Sequence, residues 1–384
     1  MISGISLFVL SLLVSPHQAA SPGQNSAGRQ SNSTHAAQKT KGFDEVANAA
    51  EQAREADRDD DAIRLYQEAL KLRPGWQEGL WYLGTLLYQK ERFAESRDLL
   101  RQFVAIEPKA GPGWALLGMS EYQTHEYSRA LDHLKHAMRE GWEGRKDLAQ
   151  SVFYFVSVLL TRFEHYDDSM TLLFAMVKSG EQPDLIVEPL GLAALRLPLL
   201  PPEIPPDRRE LIRMAGQGSL SIESHNPAQT ERLFGEMVAG YPSEPGVHFL
   251  YGAFLLDVRP EDGIREMRRE LEISPSHVGA RLRLAEEYIK ELKFEEALQL
   301  AEAAAKLEPS SAQAHMILGE TLVGKGDAAR GVAELETARK QAPDSVRTHW
   351  DLLRAYSSAG RSEDAKREKQ EIEKLSRPES QQAP

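Results

Sequence analysis

Apolar positions along most of this chain follow a helical period, and the helical pattern itself repeats. In residues 111–138, Trp114, Leu117 and Gly118 sit at i, i+3 and i+4, one face of a first helix. Ala130, Leu134 and Ala137 share one face of a second, and "QTHEY" between them reads as a turn. Leu83-Gly84 and Leu117-Gly118 are 34 residues apart, and Leu284-Ala285, Leu318-Gly319 and Leu352-Leu353 keep the same step of 34. Ala62, Ser96 and Ala130 hold it, as do Ala297, Gly331 and Ala365, and so do the prolines at 74 and 108 and at 275, 309 and 343. The pattern predicts a series of helical hairpins. Glycine inside a helix costs about 1 kcal/mol relative to alanine. Its recurrence at Gly84, Gly118, Gly252 and Gly319 marks a place where two helices cross with no room for a side chain.

The spacing of Trp or His, Leu, Gly or Ala, an aromatic, Ala, Ala and Pro over 34 residues resembles the tetratricopeptide repeat family. The clearest repeats are 77–110, 111–142, 278–311 and 312–345. Those near 150–183, 211–243 and 245–275 are weaker; Ser157, Ser169 and Thr230 replace small apolar residues. The resemblance covers about residues 43–375. It implies an all-α fold, an α-solenoid of eight or nine hairpins, in which the polar run "KREKQEIEK" suits a solvent-facing last helix.

The array has one break. "LPLLPPEIPPD", residues 197–207, holds five prolines, which cannot continue a helix. The expected organisation is a signal peptide at 1–20, a flexible linker at 21–42 and an N-terminal sub-array at 43–183. A Pro-rich connection at 184–210, a C-terminal sub-array at 211–375 and a disordered tail at 376–384 follow. Ile5–Val14 is a run of ten apolar and serine residues, short of the roughly 20 that a membrane span needs, with Ala19-Ala20 after it. It predicts export to a periplasm or outside the cell, with a mature chain beginning between about residues 18 and 24; an unused signal would leave the chain cytoplasmic. The mature chain carries no other candidate span.

Composition narrows the chemistry. The formal net charge is −12; Arg29, Lys39 and Lys41 make the first 42 residues +3, so the remainder carries −12 − 3 = −15. An acidic body argues against nucleic acid and anionic membranes as partners. There is no cysteine, which removes disulfides, cysteine-held metals and a thiol nucleophile. No phosphate-cradling glycine loop and no nucleophile motif occurs. His133 and His136, at i, i+3, could share a metal, but no spacing supplies a third ligand. No catalytic residue, cofactor or metal is assigned.

What remains is a surface. The resemblance implies that first helices line a concave groove in which partner segments lie. By repeat register, the inward positions are Trp81, Thr85, Tyr88, Met119, Tyr122, Tyr154, Val158 and Arg162 in the early repeats, an aromatic set. In the late repeats they are Glu286, Lys290, Met316, Glu320, Arg347, Trp350 and Arg354, a mixed-charge set. The basic, Asn-rich clamp of chaperone-tail-binding repeats is absent, so that ligand is not carried over. The leading expectation is a non-catalytic scaffold that takes a protein segment, apolar with basic flanks, in this groove. Two alternatives stay open: an accessory subunit docked through its convex surface, and an enzyme with a site near 184–210.

Overall fold

The structure, a computed structural model, describes residues 33–142, 144–179 and 183–376, of which 33–41, 146 and 183 by backbone alone. The apolar run, the first twelve residues of the linker (21–32) and the tail beyond 376 lie outside the described residues. Nineteen α-helices and no strand are found among the described residues. Eighteen pair as hairpins: α1 (Ser33–Glu55) with α2 (Asp59–Leu72), α3 (Gln77–Gln89) with α4 (Phe93–Ile106), α5 (Gly111–Gln123) with α6 (Tyr127–Glu140), and α7 (Lys146–Arg162) with α8 (Tyr166–Lys178). After the single α9 (Pro183–Ala194) come α10 (Arg209–Glu223) with α11 (Pro227–Gly240), α12 (Val247–Val258) with α13 (Pro260–Ile273) and α14 (Val278–Lys290) with α15 (Phe294–Leu307). The last two hairpins are α16 (Ala312–Gly324) with α17 (Ala328–Gln341), and α18 (Val346–Ser358) with α19 (Ser362–Leu375). This is the all-α array of hairpins that the period of 34 predicts. α1 begins at Ser33, inside the segment expected as linker; residues 33–42 have no large apolar side chain, but their Ala, Gln and Lys favour a helix that continues through buried Phe43.

The described chain divides into two compact units. The first runs to Pro189 and also contains Leu197–Ile204; the second holds Leu190–Arg196 and everything from Pro205 onward. One apolar core in the first unit joins Tyr66, Leu83, Leu100, Leu117, Leu134 and Phe155. One in the second joins Met267, Leu284, Ala301, Leu318, Leu335 and Leu352.

Inside a hairpin the two helices meet at the glycine crossing. A Cβ on Gly118 would lie 2.6 Å from Leu134 Cγ and 3.1 Å from the Ala130 carbonyl oxygen. One on Gly319 would lie 2.6 Å from Leu335 Cγ and 2.9 Å from the Gly331 carbonyl oxygen. The lost helix propensity is offset by this apolar contact. Where a serine replaces alanine on the second helix, its hydroxyl is satisfied across the crossing: Ser96 Oγ donates to the Gly84 carbonyl at 2.7 Å and Ser169 Oγ to the Ser157 carbonyl at 2.8 Å.

Two further devices recur. The turn between paired helices places one residue in the left-handed region at Asp57, Glu91, His125, Glu164, His225, Leu292, Gly326 and Gly360. At each, the next amide donates to the carbonyl five residues back and this residue's own amide to the carbonyl three back, as in Arg92–Leu87 with Glu91–Tyr88 and Lys293–Tyr288 with Leu292–Ile289. That double bond closes the orphan carbonyls of the first helix. The second device sits between hairpins. Six residues after the repeat-ending proline, a side chain reaches back to the proline carbonyl: Trp114 to Pro108 at 2.8 Å, His248 to Pro242 at 3.0 Å, Arg281 to Pro275 at 2.5 Å, His315 to Pro309 at 2.9 Å and His349 to Pro343 at 2.8 Å. The same three histidines set Nδ1 against second-helix carboxylates: His248 2.5 Å from Glu266, His315 2.6 Å from Glu334 and His349 2.6 Å from Glu368. Each ring ties a linker carbonyl, a first helix and a second helix together.

Two substitutions test this account. Gly118→Leu overpacks the crossing and is expected to cost about 1–3 kcal/mol, with hydrogen-exchange protection lost first in 77–142; wild-type protection there would refute the close-crossing argument. Leu292 is 74% exposed and pays for its left-handed backbone with no burial in return. Leu292→Gly is therefore expected to stabilise the fold by about 0.5–1 kcal/mol, read as a higher denaturant midpoint; a lower midpoint would contradict it.

Candidate interaction site

The first-helix positions of the second unit come together as one polar face. Helical spacing puts Arg347, Trp350, Asp351 and Arg354 on one side of α18. Arg347 Nη1 donates to Glu286 of α14 at 2.8 Å and its Nη2 to Glu320 of α16 at 3.2 Å. Arg354 donates to Glu320 at 3.3 Å and also bonds Asp351 within its own helix. Arg283 lies 3.5 Å from Glu286. Three arginines and three carboxylates thus balance across three successive first helices. Trp350 stands beside them, 50% exposed. Lys290 is exposed and pairs with Glu287 at 2.7 Å, outside this network. Met316 is buried.

Asp351 is the strained member. Its side chain is 4% exposed and Oδ2 has no hydrogen-bond partner. Burial, with a smaller push from Glu320, holds its carboxyl above the ordinary aspartate value despite Arg354 and Arg347. Register alone did not single it out, because nothing in the spacing says which carboxylate on the face loses its water.

The early positions are placed differently. Thr85, Tyr88, Met119, Tyr122 and Val158 are buried, and Trp81 and Tyr154 are half-buried. Trp81 packs on Phe103 at 5.3 Å, Tyr88 edge-on to Phe93 at 5.2 Å, and Tyr122 on Phe155 at 4.7 Å, the last two rings coming from neighbouring hairpins. Thr85 Oγ1 donates to the Trp81 carbonyl at 2.9 Å. Burial pushes the Tyr88 and Tyr122 phenols up, and the Tyr154 phenol to about 12. These rings make the contacts between and within hairpins, so this set is largely core and offers little open aromatic surface.

Arg162, the last residue of α7, is held by the Pro-rich segment: Nη1 donates to the Pro198 carbonyl at 2.8 Å and lies 3.4 Å from Glu203 Oε2. His133 and His136 both pack on Trp114, at 5.0 and 4.5 Å, and His133 Nδ1 lies 2.6 Å from buried Glu121. No group of three or more metal-ligating side chains occurs among the described residues, and no described helix is long and apolar enough to cross a membrane.

The pH dependence of Asp351 has a definite sign. A carboxyl whose folded value is raised favours folding below its unfolded value and loses that contribution as pH rises through the folded one. Asp351→Asn is therefore expected to compare better with wild type at about pH 7 than at about pH 4. Thermal melts of both proteins at the two pH values measure it; an equal or opposite difference would contradict the burial argument.

No curated protein matches the chain. Among solved structures, the MamA RS-1 ArsTM double mutant aligns at 18% identity over 46% of this chain and 98% of that one, with a TM-score of 0.41. MamA from residue 41 to its end, from Desulfovibrio magneticus RS-1, aligns at 19% over 45% and 98%, with a TM-score of 0.39. A MamA crystal structure aligns at 16% over 41% and 93%, with a TM-score of 0.38. Residues 47–113 in the first unit and 282–329 in the second match the tetratricopeptide repeat family.

Proposed function

We propose that this chain is a non-catalytic scaffold that binds protein segments, and that the partner lies on the first-helix face of α14, α16 and α18. The observation that supports this reading most directly is the exposed Trp350 set among the Arg347, Arg354, Glu286 and Glu320 pairs. A large ring with two rotatable bonds gives contact area at little cost in side-chain entropy, and tryptophan and arginine dominate interface hot spots. Arg354 is 62% and Glu320 21% exposed, so a partner can replace the Arg354–Glu320 pair without a large penalty. The tetratricopeptide match of 282–329 lies in this unit and agrees with a protein-binding role. The acidic chain, at −12 formal charge, favours a partner segment that is apolar with basic flanks and speeds its approach at low salt. Export to an envelope compartment, on the strength of Ile5–Val14, belongs to the same proposal.

Capture of partners from an envelope fraction with the wild-type chain and with Trp350→Ala/Arg354→Ala tests the surface. A partner bound by the wild type is expected to lose at least about 2 kcal/mol of affinity to the double variant, and part of that to Trp350→Ala alone, which keeps the Arg354–Asp351 bond and leaves the melting temperature little changed. A partner that both proteins bind equally would place the contact elsewhere and overturn the assignment of this face.

A further inference from the structure

We propose that the first unit contains a peptide-binding site filled by the chain's own segment Leu197–Ile204, and that its external ligand is an extended, proline-rich segment carrying an apolar anchor and, three residues on, a carboxylate. This site is separate from the second-unit face proposed above and does not depend on it.

The segment is held as a ligand is held. Its backbone is extended at Leu200 (φ −90°, ψ 152°) and at Ile204 (φ −63°, ψ 119°), with one tight turn at Pro201–Glu203 between. Its own backbone bonds are local: Leu199 to Leu197 at 2.8 Å and Glu203 to Leu200 at 2.8 Å. The prolines at 198, 201 and 202 have no amide to donate. Leu200 and Arg162 tie it to the helices, and Ile204 is buried at its far end. Leu200 is 2% exposed and belongs to the same apolar core as Tyr122, Phe155 and Leu159. Arg162 grips the segment on both sides of Leu200, donating to the Pro198 carbonyl and facing the Glu203 carboxylate. Glu203 Oε2 in turn accepts from the Leu200 amide at 2.9 Å, which fixes the spacing between apolar anchor and charge. Arg162 also lines an open depression with Tyr127 and exposed Phe163, so the surface continues beyond the segment that covers part of it.

Two buried side chains, Leu200 and Ile204, and one guanidinium are few contacts for a permanent layer of a fold. They suffice here because the segment is tethered, which sets its effective concentration at the order of mM for a short linker. A free segment of the same chemistry meets that competition first and the site second.

The test uses a fluorescent peptide of sequence LPLLPPEI and the full mature chain. In Leu200→Ser/Glu203→Gln the inbuilt segment is weakened, and the peptide is expected to bind at least about tenfold tighter than to wild type, by anisotropy. Adding Arg162→Ala should return binding to the wild-type level. If circular dichroism shows that the double variant is unfolded, Glu203→Gln alone, at an exposed carboxylate, gives the same comparison with a smaller gain. Equal peptide binding by wild type and the folded variants, absence of binding by every folded variant, or binding that survives Arg162→Ala would each overturn the proposal.

Discussion

Each unit depends on the close crossing of the two helices in a hairpin. A lone hairpin cannot enclose an apolar core, so stability comes from stacking hairpins, and stacking needs each to present the same thickness and angle. Gly118 and Gly319 allow Leu134 and Leu335 to rest on the first-helix backbone. A side chain there would push the second helix away and shift every later contact. The left-handed turn at Glu91 or Leu292 and the donor on the repeat-ending proline carbonyl serve the same end. The first sets the angle within a hairpin; the second sets the step to the next.

The crossing also explains how repeats can drift in sequence and keep their geometry. Ser96 and Ser169 stand where alanine is usual, and a buried hydroxyl without a partner would cost about 1–3 kcal/mol. Both donate to carbonyls of the facing helix instead, at 2.7 and 2.8 Å. Thr230 of α11 and Ser221 of α10 bond each other at 2.7 Å in the same role. The packing surface is kept small, and the polarity is spent locally.

This locality decides what the sequence could show. The hairpins, their period and the crossing glycines were legible because each acts within one or two helices at a fixed spacing. The polar face was legible in part: register brought Glu286, Glu320, Arg347, Trp350 and Arg354 to one side, and the structure joins the four charged ones. Register could not tell that Met119, Thr85 and Tyr88 would be enclosed, since enclosure depends on the neighbouring hairpin's side chains. Nor could five prolines reveal that Arg162 holds the carbonyl of Pro198, thirty-six residues away. The proline-carbonyl donors were within reach of a closer reading: the residue six after the proline is Trp, His, Arg, His and His, each able to donate.

The two units treat their first-helix faces in opposite ways, and composition is the reason. In the first, the face is aromatic. Rings such as Tyr122 and Tyr154 lose free energy when left in water, so they pack against one another, and Leu200 closes over the core they join. In the second, the face is built from opposite charges in pairs. Arg347 and Arg354 are 51% and 62% exposed, and surface pairs contribute about 0–1 kcal/mol each, whereas the Glu286 and Asp351 carboxylates are buried and need their partners. Arg354, 62% exposed, can leave Glu320 at little cost. An apolar face is stable only when filled, whereas a charge-balanced one stays open and exchangeable. That difference, set by which side chains occupy the same repeat positions, is why the proposed partner face lies in the second unit and why the proposed peptide site of the first is reached by competition.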